Sequence, residues 1–98
     1  MRGKARWQEN SAAIRASVLS AKMRNPYDYT LRLRLDSVLA MEGGDFLLQR
    51  GDSLSVLMRW EANQALMSLA RVRSGQRLNA VVALSRNGQW MLVEGKRE

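Results

Sequence analysis

Thirteen arginines, two tyrosines and three tryptophans are the side chains with chemistry to offer in this chain of 98 residues, and that chemistry is non-covalent. A guanidinium presents a planar fork of N–H donors that matches phosphate and lies flat on a base. Aromatic rings stack on bases whatever the base identity. The usual agents of covalent chemistry are missing. There is no Cys and no His, which removes disulfides, thiolate nucleophiles, the usual general base near neutral pH and the commonest transition-metal ligands. Carboxylates remain, but Asp36, Asp45, Asp52, Glu42 and Glu61 fall in or beside turns and strand ends. Turn chemistry explains Asp45 and Asp52, and no spacing marks an acid–base pair or a calcium loop. Glu42-Gly43-Gly44-Asp45 reads as a loop rather than a phosphate-cradling motif. The expectation is a protein that binds and does not catalyse, with no metal site and no cofactor.

The positive charge is unevenly spread. The formal charge is +7, and residues 1–34 carry +6, residues 35–70 carry −3 and residues 71–98 carry +4. Two basic ends around an acidic middle are what a polyanion-binding face needs. A GC-rich coding bias raises Arg and Ala along a whole chain, but it does not cluster them. Ninety-eight residues make one domain with a core of its own. Apolar runs of only a few residues are too short for a membrane span. Met1-Arg2-Gly3-Lys4 is basic, yet no apolar stretch follows it as in a secretory leader. With the lack of Cys, this predicts a cytoplasmic protein, or a periplasmic one if a leader has been removed.

To act together, the basic and aromatic side chains need a scaffold, and the apolar pattern supplies one. Residues 1–10 read as a basic arm carrying Trp7, and residues 96–98 as a charged tail. From Ser11 to Arg24, Ala12, Ile14, Ala16 and Val18 alternate, and Leu19, Ala21 and Met23 continue in the opposite phase. That predicts a long strand that changes face midway. The same stretch is rich in Ala and closes before Pro26, so a helix over 11–24 is the alternative, giving an α+β domain with a four-stranded sheet. Asn25-Pro26-Tyr27-Asp28 is a turn. Tyr29 to Leu35 is the clearest strand, with Leu31, Leu33 and Leu35 on one face and Thr30, Arg32 and Arg34 on the other. Its phase slips at Asp36-Ser37, which predicts a bulge. Leu54, Val56, Met58 and Trp60 alternate as a third strand, with Arg59 on its polar side. Ala62, Ala65, Leu66 and Leu69 then switch to helical spacing in a short segment that Ser74-Gly75 ends. Leu78, Ala80, Val82 and Leu84 form a fourth strand, and Asn87-Gly88 predicts a two-residue hairpin into a fifth. Such a turn pairs Ser85 with Trp90 and Leu84 with Met91, so that Val81, Ala83, Trp90 and Leu92 share one face.

Three strands, a short helix, then two strands: this order resembles that of the OB-fold (oligonucleotide/oligosaccharide-binding) superfamily across residues 11–95. The resemblance rests on strand order, the long first strand, the Tyr29 to Ala40 strand and the glycine turn before Leu54 to Trp60, with no signature motif. It implies an all-β fold with one short helix, a five-stranded antiparallel Greek-key barrel of OB type. It further implies that the loops at Asn25 to Tyr29 and Arg86 to Gly88 border the face on which such barrels hold oligonucleotides. On that reading Tyr27 and Tyr29 stack on bases, while Arg32, Arg34, Arg59 and Arg86 pair with phosphates of single-stranded DNA or RNA, with loose sequence preference. The second reading is a protein-interaction or assembly module. The hairpin is apolar on both sides, so Trp90, Leu92 and Val81, with Trp7 of the arm, would dock on a partner protein. The first reading requires the basic side chains to converge in space, and the second requires an uncovered apolar patch.

Overall fold

The structure, a computed structural model, describes residues 10–25, 28–43, 47–59 and 72–98. Their regular structure is all strand: β1 (Ser11–Asn25), β2 (Asp28–Glu42), β3 (Ser53–Arg59), β4 (Arg77–Leu84) and β5 (Trp90–Arg97). The strands close into a barrel in the order β1-β2-β3-β5-β4, with β4 returning to β1. Trp7, Tyr27, Trp60 and the helix expected through Ala62, Ala65, Leu66 and Leu69 lie outside the described residues. Among the described residues no helix is long and apolar enough to cross a membrane.

The all-β expectation holds, and the wholly antiparallel one needs an amendment. Four seams are antiparallel, but β3 and β5 run parallel. Parity requires this. Strand direction cannot alternate all the way round a ring of five, so one seam must join strands that point the same way. That seam is also the shortest, with only Val56 opposite Trp90 and Leu57 opposite Met91.

Residues 11–25 are strand rather than helix. Ala12, Ile14, Ala16 and Val18 are all buried, and the first half of β1 is hydrogen-bonded on both sides, to β2 and to β4. Those two ladders override the helix preference of its alanines. A register shift at Leu19 ends the first phase, as the sequence pattern anticipated. Beyond it Ala21 packs on the core, while Leu19 and Met23 are exposed. A second shift falls at Asp36, at the expected bulge. Such bulges bend a long strand enough to serve both halves of a closed barrel. Inside, Ile14, Leu31, Leu33, Leu35, Val56 and Met58 are almost wholly shielded from water. Each such side chain contributes about 1.5–3 kcal/mol by its burial.

The β4–β5 hairpin differs from the expected one by a single residue. Leu84 pairs with Trp90, Ala83 with Met91 and Val82 with Leu92. The Ser85 N–H donates to the Gln89 carbonyl at 2.9 Å, and the Gly88 N–H donates to the Ser85 carbonyl at 3.0 Å. The loop is therefore Arg86-Asn87-Gly88, three residues long, with Gly88 at a φ of +84°. This is a turn followed by a left-handed glycine, the other common way for Asn-Gly to close a hairpin. One residue of slip exchanges the faces. Leu92 is core, 4% exposed, and Trp90 is partly buried against the core.

Candidate functional site

Alternation along β2 fixes where its arginines go. Leu31, Leu33 and Leu35 take the inside, so Arg32 and Arg34 stand outside, both exposed. On β3 the same rule buries Leu54, Val56 and Met58 and turns Leu57 and Arg59 outward with two serines between them and the strand's start. Register then builds the face. Arg32 lies between Ser20 and Ser55, Arg34 between Ser17 and Ser53, and Arg59 opposite Asp28.

Two carboxylates are already engaged there. Arg59 Nε lies 3.4 Å from Asp28 Oδ1, and Arg34 Nε lies 3.7 Å from Asp36 Oδ1. The other Asp36 oxygen accepts the Ser17 hydroxyl at 2.7 Å. The arginine side chains of these pairs are more than half exposed. Each pair therefore contributes about 0–1 kcal/mol and leaves its guanidinium ready to exchange partners. Among the described residues no ion pair engages Arg32 or Arg86.

The parallel seam is what brings Arg59 towards Arg86. It lays the base of the β4–β5 hairpin beside the middle of β3, and an open depression of about 410 Å³ forms between them. Leu57 and Met91 form its apolar part, with Arg59, Arg86, Asn87 and Gln89 around it. Gln89 Nε2 donates to the Trp90 carbonyl at 2.9 Å and to that of Ser55 at 3.4 Å, bracing the hairpin on β3. Among the described residues lining this groove there is no carboxylate except through the neighbouring Asp28–Arg59 pair. An apolar patch with guanidiniums around it offers a flat surface beside positive charge.

Some expected site residues sit elsewhere. Tyr29 shares the inward phase of Leu31, pairs with the buried Met58 and packs on the core, so it does not belong to the arginine face. Leu92 and Trp90 turn inward, for the register reason given above, and of the expected apolar docking trio only Val81 lies outward, partly exposed. Tyr27 and Trp7 are outside the described residues. Arg32, Arg34 and Arg59 do share one face, and Arg59 and Arg86 border one groove.

Sequence reasoning passed over the Leu57–Met91 floor and a second basic cluster. Arg15, Arg34, Arg50 and Arg77 line a polar depression of about 380 Å³ towards the other end of the β2–β3 face. Arg15 was legible, since it stands out of phase with Ile14 and Ala16. Arg50 and Arg77 sit in a turn and at a strand start, where no pattern announces a partner. Among the described residues no three acidic side chains gather to hold a metal ion. No protein-family model matches the chain, and no curated protein matches it in sequence.

Proposed function

We propose that this chain is a small non-enzymatic binding module of OB type that holds single-stranded nucleic acid across the outward face of β2 and β3. The observation that carries the reading is the shared placement of Arg32, Arg34 and Arg59 on that face, with Arg59 and Arg86 around the Leu57–Met91 floor. The type assignment draws on the closed order β1-β2-β3-β5-β4 and on a bulged first strand that pairs with both β2 and β4. In barrels of that type the loops after β1 and β4 flank the oligonucleotide, and here Arg86 and Asn87 of the loop after β4 border the groove. Contacts through guanidinium and an aliphatic floor read backbone charge and a base face, not base edges, so sequence preference is low.

The reading is tested by fluorescence anisotropy of labelled oligothymidylate and oligouridylate over a salt series. Micromolar binding is expected, with a log–log salt slope equivalent to about three to five phosphate contacts. Absence of binding at low salt would sink the reading, because a cationic groove binds a polyanion there whatever its sequence.

Protein docking keeps one specific observation in its favour, which shares Val81 with the expected set but otherwise involves other residues. Leu39 of β2 is 61% exposed and, with Ala13 and Val81, lines an open depression of about 400 Å³ across β1, β2, β4 and β5. A binding-defective protein that still captures a partner through Leu39 would belong to this second class.

A further inference from the structure

The polar depression carries charge that the barrel does not need. Ser17 of β1 pairs with Arg34 of β2 on one side and with Arg77 of β4 on the other. Two strand spacings separate those arginines, about 10 Å between backbones, a gap that two long side chains close on a single tetrahedral anion. Arg15 lies two residues along β1 on the same outward side, and Arg50 approaches from the turn before β3.

Four guanidiniums there meet two carboxylates. Arg15 Nε lies 3.3 Å from Glu98 Oε2, and Arg34 Nε lies 3.7 Å from Asp36 Oδ1. Both distances exceed the roughly 2.7–2.9 Å of a well-made charged hydrogen bond. Among the described residues no ion pair engages Arg50 or Arg77. The carboxylates are thus loosely paired with these arginines, although Asp36 also accepts the Ser17 hydroxyl, in a site with two positive charges to spare. No aromatic side chain is among the described residues lining it. Arg34 belongs both to this depression and to the β2 face, one dipeptide step of about 7 Å from Arg32.

We propose that this depression is a phosphate seat in which the backbone of the bound strand displaces Glu98 from Arg15 and is held by Arg34, Arg50 and Arg77. The proposal rests on the nucleic-acid reading above, and extends the path of the strand from the Arg59–Arg86 groove past Arg32 to the other end of the face. This end of the path holds the strand by its phosphate.

The test uses inorganic tripolyphosphate followed by calorimetry, beside oligothymidylates of about 4 and about 12 nucleotides, lengths that bracket one barrel's site. Tripolyphosphate is expected to bind at low salt, about fivefold more weakly to Arg77→Ala and to Arg50→Ala, and about twofold more tightly to Glu98→Gln. Arg50 lies in an exposed turn, so its variant keeps the test open if Arg77→Ala impairs β4. The same Arg variants are expected to weaken the longer oligonucleotide and spare the shorter. Tripolyphosphate failing to bind while the longer oligonucleotide binds overturns the seat and leaves the groove reading intact. Binding of tripolyphosphate with equal losses for both oligonucleotides overturns the seat as part of the strand's path. Failure of both oligonucleotides overturns the nucleic-acid reading, and this extension with it.

Discussion

The two arginine-lined depressions on this barrel are similar in size and nearly opposite in chemistry. The one beside the β4–β5 hairpin has Leu57 and Met91 at its floor and two guanidiniums at its rim. The one beyond Arg34 has four guanidiniums and two carboxylates around polar walls. The origin of the difference is strand phase. The short parallel seam sets Leu57 against Met91 on the outside of the barrel, whereas β1, β2 and β4 meet outside through Ser17, Arg34 and Arg77. A surface that takes both a base and its phosphate needs the first kind of site. The second kind reads charge alone.

Charge reversal is the strongest way to break that comparison. Arg59→Glu with Arg86→Glu should weaken a short oligonucleotide by about 100-fold at low salt, because two attractions become repulsions. Both side chains are exposed, so the unfolding free energy should hold to within about 1 kcal/mol in a denaturant titration. Arg50→Glu with Arg77→Glu should cost the same oligonucleotide about threefold. Equal losses from the two double variants would mean that the depressions are not distinct. A smaller effect is expected at the floor. Leu57→Gln should cost about fivefold, or about 1 kcal/mol, by removing apolar contact, with the salt slope unchanged in an anisotropy titration. A reduced slope would show that Leu57 acts by holding the arginines. The smallest effect is at the ion pair. Asp28→Asn frees Arg59 and should tighten binding about twofold at low salt, with the gain lost at high salt. Its cost in thermal stability should lie within about 0–1 kcal/mol.

Most of the scaffold was legible because β1, β2 and β3 alternate, and the shifts at Leu19 and Asp36 announce themselves as phase slips, whereas those at Arg24, Leu39 and Val93 do not. Leu31, Leu33 and Leu35 fix Arg32 and Arg34 on the outside with no further information. The same logic applied to Tyr29 would have placed it inside, since it is in phase with Leu31. The OB resemblance set it on the oligonucleotide face instead, and in the structure it packs on the core. The hairpin went wrong for a different reason. Asn87-Gly88 specifies a turn but not its length, because a left-handed glycine serves two-residue and three-residue loops alike. One residue exchanged the faces of β5 and carried Leu92 into the core. Neither depression was legible, since each is built from three or more strands whose register only the closed barrel defines. Parity of five strands, by contrast, was available from the strand count alone and predicts the parallel seam.

The central claim is that a single strand lies on the arginine face of β2 and β3. The most direct test is NMR of the arginine Nε–Hε groups and the Leu and Val methyls while oligothymidylate is added at low salt. The account predicts progressive shifts at Arg32, Arg34, Arg59 and Arg86 and at the Leu57 methyls, with Leu39 and Val81 unmoved. Shifts centred on Leu39 and Val81, with the four arginines unchanged, would contradict it and move the binding surface to the β1–β4–β5 side.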